Sequence, residues 1–307
     1  MEVPHFVGEF MTDQEACEQI GIEYKEIPSD GKLYKTAVKG KGARNTSGRI
    51  RRFPDGKGGV VMNNTESRTL TYWYDETPAK TTAADWELRT ARIALEERER
   101  ELLHRQCREK SLSHWQTVCV DGIPTKHPYL IAKQIKPYGA RFQSSGGLIV
   151  VPARDIDGLL HGLQFISGTG EKKFKTGTVK KGHFHEMPGN EQIIICEGFA
   201  TGATIHHEIG ATVIVAFDAG NLSPVASVIR LKHPDREIII AADNDLDRED
   251  NPGVTKGTKA AHEIGAKLAV VQFTPEQVAT WRQSHNCKAP TDFNDLMQII
   301  NAGKVSP

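Results

Sequence analysis

The chain has 307 residues, of which 38% are hydrophobic and 25% charged, with mean hydropathy −0.44 and no formal net charge. That length suggests about two domains at roughly 150 residues each, and the composition excludes collagen-like, fibrous and wholly disordered chains. No apolar run approaches the roughly 18 residues of a membrane-spanning helix. The opening Met1-Glu2-Val3-Pro4-His5 lacks the basic and apolar regions of a secretory signal, so a cytoplasmic protein without a membrane partner is expected. Cys17, Cys107, Cys119, Cys196 and Cys287 are widely spaced, odd in number and without a Cys-x-x-Cys. They suggest neither a disulfide framework nor a zinc ribbon.

The zero net charge conceals an uneven layout. Between Lys32 and Lys57 stand nine cations, including Arg44, Arg49, Arg51 and Arg52, against the single acid Asp55. Between Glu171 and Lys181 stand five lysines, including Lys172, Lys173 and Lys175, against Glu171. Asp243–Asp250 holds five acids and one arginine. Basic surface beside an acidic pocket suits a polyanion bound next to a divalent cation, although any one charged run alone reads as a solvated face.

In chain order, residues 12–27 read as a short helix capped by Thr12 or Asp13. Residues 30–74 alternate in short stretches broken by Gly and Asn, the pattern of a small antiparallel β domain. Within it Tyr72 and Tyr74 share a face and, beside Arg49, Arg51 and Arg52, suit stacking of single-stranded bases, while Trp73 reads as core. Thr77–Thr82 reads as a linker. The interleaved acids and bases of residues 83–110 predict an exposed, ion-paired connector helix. Residues 147–152 and 159–166 are strands joined by the turn Asp155–Gly158. Beyond them, apolar strands at 191–196, 211–216, 236–242 and 267–272 alternate with helices at 200–209, 224–231 and 256–264. Continuous apolar strands alternating with helices predict a mostly parallel sheet covered on both faces. His206-His207 and His183-Phe184-His185 read as ordinary helical or surface histidines.

Open α/β sheets bind ligands beyond the carboxyl ends of their strands. Two of the predicted strands end in acids, at Glu197-Gly198 and at Asp243-Asn244-Asp245. Gly198 lets a ligand approach closely, and the alternating Asp243 and Asp245 suit one hard cation such as Mg²⁺. These acids form a candidate site for metal-assisted displacement at phosphorus.

Glu197-Gly198 followed by Asp243-Asn244-Asp245 resembles the Toprim signature shared by bacterial primases, topoisomerases and some nucleases. The preceding stretches 146–166 and 171–187 are similar to the basic subdomain of bacterial-type primases. The segment His127-Pro128-Tyr129-Leu130 and the closing Thr291–Leu296 resemble the plasmid and phage branch. The resemblance covers about residues 113–300. It departs from the common bacterial pattern at Thr201, where an Asp is usual, and in lacking a zinc ribbon and a fused P-loop helicase.

The resemblance implies an α/β fold, a Toprim-type mostly parallel sheet preceded by a basic α+β subdomain and a small β-rich domain. The expected organisation is a basic β-rich domain over 1–80, a connector helix over 83–112, a primase-like subdomain over 113–190 and a Toprim domain over 191–307. The implied activity is RNA primer synthesis on single-stranded DNA from ribonucleoside triphosphates, for a plasmid or phage, with any replicative helicase on a separate chain. Glu197, Asp243 and Asp245 are the implied catalytic residues and ligands of Mg²⁺ or Mn²⁺, and no zinc is expected. Arg141, Lys172, Lys173 and Lys175 are the implied contacts to nucleotide or template, and Arg49, Arg51 and Arg52 those to nucleic acid. A Toprim nuclease and a non-catalytic DNA-binding accessory protein are the alternatives.

Overall fold

The computed structural model describes residues 9–41, 45–66, 68–74 and 83–304, so Arg44 and the expected linker 77–82 lie outside the described residues. Two units are separately organised, Met1–Ala94 and Leu95–Pro307. Among the described residues no helix is long and apolar enough to cross a membrane.

In the first unit the strands are β1 (Glu9–Phe10), β2 (Tyr34–Thr36), β3 (Gly48–Arg52), β4 (Gly58–Asn63) and β5 (Arg68–Trp73), with α1 (Asp13–Gln19) between β1 and β2. They form one sheet in the order β1-β5-β4-β3-β2. β1 runs parallel to β5, and the other pairs are antiparallel. Thr12 and Glu15 cap α1 reciprocally, satisfying two backbone N–H groups at its start. The predicted helix over 12–27 ends at Gln19, because the chain turns at Gly21 (φ +73°) and Ile22 pairs with Val38.

The alternation of β3 separates its three arginines. Ile50 is fully buried, and Arg52, two residues on, shares its face. The Arg52 guanidinium is paired with the Asp13 carboxylate and donates to the Ile27 carbonyl at 2.6 Å. The hydroxyls of Tyr72 and Tyr74 both donate to the other Asp13 oxygen. This corrects two expectations. Arg52 is consumed inside the unit rather than presented to phosphates, and Tyr72 is a buried hydrogen-bond donor rather than a base-stacking platform. Tyr72, not Trp73, supplies the core aromatic, and Trp73 packs partly exposed against Phe53. Arg49 and Arg51 project to the opposite face, Arg49 donating to the carbonyls of Thr46 and Gly48.

The long helix α2 runs Ala83–Thr117, beyond the predicted end. Its last turns are not an exposed connector. Cys107, Ser111 and Trp115 recur at four-residue spacing and are buried, Trp115 against Val150, Leu160 and Leu163. The short helix α3 (Pro128–Lys133) follows. Then come β6 (Arg141–Gln143), β7 (Leu148–Arg154), β8 (Leu160–Ile166) and β9 (Lys172–Phe174), an antiparallel sheet in chain order.

The second sheet of this unit comprises β10 (His185–Met187), β11 (Asn190–Cys196), β12 (Ala211–Val215), β13 (Ile238–Ala242) and β14 (Lys267–Val270). Its order is β10-β12-β11-β13-β14, with β10 antiparallel and the remaining pairs parallel. The helices are α4 (Phe199–Ile209), α5 (Leu222–Lys232), α6 (Pro252–Ile264), α7 (Pro275–Ser284) and α8 (Phe293–Lys304). Alternating residues of β11 divide the core. Ile194 and Cys196 pack with Phe199, Ala200 and Ala203 of α4, while Ile193 and Ile195 pack with Leu222, Val225 and Ile229 of α5 and Ala260 of α6. A sheet covered on both faces needs strands that are apolar throughout, which explains the unbroken Ile-Ile-Ile runs of β11 and β13.

Candidate active site

The register of the parallel strands sets the site. Cys196 of β11 pairs with Val215 of β12 and with Ala241 of β13. The residues that follow, Glu197 and Asp243, therefore leave the sheet along one edge. They open onto a cavity of about 330 Å³ together with Lys172, Gly198, Thr201 and Asp292. Tyr129 and Lys133 from α3 and the glycine-containing turn 168–170 complete its wall. At Gly198 a Cβ would come within 3.3 Å of the Thr201 hydroxyl and 3.9 Å of Lys172 Nζ, so a larger residue would protrude into the cavity.

Asp243 and Asp245 are held apart by Asn244, which is 8% exposed and locked on both sides. Its N–H donates to the Thr291 carbonyl at 2.7 Å, and its side chain donates to the Val271 carbonyl at 3.0 Å. The start of α6 sits directly on this loop. Gly253 donates its N–H to Asp245 Oδ2 at 3.0 Å, and a Cβ at Gly253 would collide with the Asp243 carbonyl. Asp245 thus serves as an N-terminal acceptor for α6, a favourable place for an anion. It does not line the cavity, but its charge raises the pKa of both Glu197 and Asp243.

Asp292 is a further acid of the cavity wall, one to which the sequence pattern assigns no role. It precedes α8, where its Oδ1 accepts from the Asp295 N–H at 2.9 Å. Neighbouring Asn294 anchors the segment by donating to the Lys133 carbonyl at 2.7 Å and to Thr204 Oγ1 at 2.8 Å. The Thr201 hydroxyl, standing where an Asp is usual in bacterial primases, donates to Asp292. Asp292 belongs to the Thr291–Leu296 segment, but nothing in spacing alone brings residue 292 beside residue 243.

Carboxylates crowd here faster than cations. Burial raises the Asp243 pKa well above the ordinary carboxylate value, and Asp292, Glu197 and Asp245 add to the rise, with only Lys172 opposing. Burial also raises Glu197, helped by Asp245 and Asp218, against an N–H donated by Ala219 and the charge of Lys172. Asp292 is raised by burial and by Asp295, with Lys133 opposing. Desolvation lowers the Lys172 pKa despite the attraction of Asp292, Asp243 and Glu197. Asp243 Oδ1 is buried without a hydrogen-bond partner. An orphaned carboxylate oxygen among like charges fits a hard divalent cation, which takes oxygen ligands and compensates their charge.

The remaining expected contacts are placed elsewhere. Lys172 and Phe174 share one face of β9, and Phe174 meets Phe217 edge-on at 5.3 Å beside the cavity. Lys173 points away and pairs with Glu171 at 2.8 Å, and Lys175 donates to the Lys110 carbonyl at 3.0 Å. Arg141 is bound to Asp121 at 2.9 Å and to the Trp115 carbonyl at 2.9 Å, over the Trp115 ring. Of the four basic residues assigned to nucleotide or template, only Lys172 enters the cavity.

The Toprim domain family profile matches residues 192–301, which span Glu197, Asp243, Asp245 and Asp292. Residues 192–301 are a Toprim domain. Two curated proteins are similar to the wider chain, both DNA primase TraC from Escherichia coli. One is 30% identical over 265 residues, covering 81% of this chain and 25% of that protein. The other is 34% identical over 170 residues, covering 51% and 12%. The chain therefore spans about a quarter or less of the length of these relatives. Among solved structures, the DnaG primase catalytic domain bound to ssDNA aligns at 11% identity and a TM-score of 0.37, over 64% of this chain and 81% of that one.

Proposed function

We propose that the chain is the catalytic core of a DNA primase, joining ribonucleotides into short primers on single-stranded DNA by Mg²⁺- or Mn²⁺-dependent nucleotidyl transfer. The observation that carries this reading is the cavity in which Glu197, Asp243 and Asp292 converge around Lys172 at the edge of the Toprim sheet. The 30% identity to DNA primase TraC across 81% of the chain favours primer synthesis over the other Toprim chemistries. A cytoplasmic plasmid or phage replication protein, with a helicase on another chain, accords with that likeness.

Glu197, Asp243 and Asp292 would hold the cation, with Asp245 supporting them electrostatically. When bound, the cation supplies charge stabilisation to the phosphoryl group under attack. Burial raises the Glu197 pKa above the ordinary carboxylate value, the direction that strengthens it as a proton acceptor for the attacking 3′-hydroxyl. Lys172 offers a point charge to the incoming triphosphate. Gly198 leaves room for the nucleotide at the strand end.

The test is an incubation of the chain with single-stranded DNA, labelled ribonucleotides and Mg²⁺, with the DNA followed for cleavage. Short new RNA is the expected product. Cut DNA without RNA would point to a nuclease, and neither product to an accessory role. Glu197→Gln keeps size but removes the acceptor charge. It is expected to fold, to bind single-stranded DNA, and to lose on the order of 10²–10⁴ in primer synthesis.

A further inference from the structure

A second cluster of ligand-type side chains lies outside the catalytic cavity, in the antiparallel part of the same unit. Asp155 follows β7 and opens the turn to β8, where Gly158 takes φ +84°. The N–H groups of Asp157 and Leu159 both donate to Asp155 Oδ1, at 3.0 and 2.9 Å. That fixes the carboxylate and aims its other oxygen at His161 Nε2, 2.7 Å away on β8. His183 arrives from the segment before β10. Its position is set by the bridge between Arg154 and Phe184, whose two backbone hydrogen bonds measure 2.8 and 2.9 Å. The rings of His161 and His183 pack with centroids 3.9 Å apart, tilted by 33°.

One ligand atom from each of Asp155, His161 and His183 lies within 4.8 Å of the other two. Nδ1 of His183 is buried and has no hydrogen-bond partner of good geometry, although the backbones of Lys181 and Val179 lie within reach of the ring. An Asp155–His161 hydrogen bond accounts for that pair alone. It gives no reason for a second imidazole to pack against it with a ring nitrogen left unsatisfied, which is costly in a folded interior. We infer that Asp155, His161 and His183 form a binding site for a first-row transition cation of the Zn²⁺ class, separate from the catalytic cavity.

The donor set selects the metal. Two imidazoles and one carboxylate suit Zn²⁺ and its neighbours, whereas Mg²⁺ prefers oxygen alone. Three protein ligands leave a fourth tetrahedral position for water. Ligand atoms of a tetrahedral Zn²⁺ site stand about 3.3 Å apart, so small side-chain rotations close the cluster. The paired backbone donors on Asp155 supply the orienting outer contacts that ligating carboxylates commonly have. Residues 155, 161 and 183 have no recognised ligand spacing and meet through the β7–β8 hairpin and the bridge between Arg154 and Phe184.

The cation would fasten that hairpin to the turn serving the active site. The His183 carbonyl accepts from Asn221 Nδ2 at 2.9 Å, and Gly182 donates to Asn221 Oδ1 at 2.8 Å. Two residues before Asn221, the Ala219 N–H is donated to Glu197.

The full chain, stripped with chelator and dialysed, would be titrated with Zn²⁺, and with Co²⁺ as a spectroscopic probe. Expected are uptake of one equivalent at micromolar or lower concentration, the visible bands of four-coordinate Co²⁺, and a raised unfolding temperature. His161→Gln and His183→Gln should each weaken uptake by at least tenfold, while Asp243→Asn retains it. His161→Gln alone carries the test if His183→Gln fails to fold. Absence of uptake, or uptake lost in Asp243→Asn but kept in His161→Gln, would overturn the assignment without touching the primase reading.

Discussion

Asp243→Asn should make the second unit more stable when no divalent cation is present, while removing its catalytic function. In the wild-type chain Asp243 Oδ1 is buried without a partner, and burial, Asp292, Glu197 and Asp245 all oppose its charge. Because the folded pKa lies above the ordinary value of 3.8, this group's contribution to stability is fully present below that value. It is lost as pH rises toward and through the folded pKa. Asparagine removes the charge and the pH slope at nearly constant volume. An unsatisfied buried polar group costs about 1–3 kcal/mol, and more when charged. For a unit of this size about 1 kcal/mol shifts the midpoint by roughly 2–4 °C, so the variant should melt on the order of 5 °C higher near neutral pH in chelator. Calorimetry at about pH 5 and about pH 8, with and without Mg²⁺, checks the reasoning, since the difference between the two proteins should shrink in acid. Mg²⁺ should raise the wild-type midpoint at the higher pH and leave the variant nearly unmoved. A variant less stable than wild type in chelator, or equally responsive to Mg²⁺, would refute the electrostatic account of the cavity.

The first unit should respond to acid in the opposite sense. Burial alone would raise the Asp13 pKa, but the hydrogen bonds from Arg52, Tyr72 and Tyr74 outweigh it and hold the carboxyl below 3.8. Its stabilisation is therefore present above the unfolded value and lost as pH falls through the folded one. Asp13→Asn should cost that unit about 3–5 kcal/mol by leaving Arg52 unpaired, measurable by chemical denaturation of the full chain with a probe in the first unit. Gly257→Ala places a methyl 2.6 Å from the Ala242 Cβ, where α6 rests on the end of β13. Overpacking there should cost about 1–3 kcal/mol and, by lifting α6 from the Asp243–Asp245 loop, lower catalysis beyond the loss of stability, as read by activity at a temperature where both proteins remain folded.

The elements most legible in the sequence were those whose pattern is set by burial on both sides. The apolar runs that became β11, β12 and β13 were found with ends within about two residues, because no polar residue interrupts a fully covered strand. The sequence also placed Glu197 and Asp243 at strand ends, which the shared register of Cys196 with Ala241 converts into a common edge. What it could not supply was contact between distant segments. Asp292 joins Asp243 through long-range contacts, the Asn244 N–H donating to the Thr291 carbonyl and Asn294 anchoring the start of α8. Lys172 separates from Lys173 because the pleat of a three-residue strand sends neighbours to opposite faces. A count of positive charge is blind to that pleat, and it treated Arg52 and Arg49 alike although one is held on a buried aspartate.

The same distinction bears on how the cavity is built. Glu197, Asp243 and Asp292 come from the ends of two strands and the start of a helix, and each is held by hydrogen bonds that tie its segment to neighbouring ones. The Asp243–Asp245 loop is pinned by Asn244 and Gly253, and the Asp292 segment by Asn294. These contacts hold the carboxylates close together, and burial first and mutual repulsion second raise their pKa values. A site so held pre-pays the orientation of its ligands, the condition under which electrostatic stabilisation of a reacting phosphoryl group needs least reorganisation. It follows that loosening the frame should damage catalysis even with every carboxylate retained. Asn244→Ala, which keeps both flanking acids but frees the loop from the Val271 carbonyl, belongs with Gly257→Ala in that class rather than with Asp243→Asn.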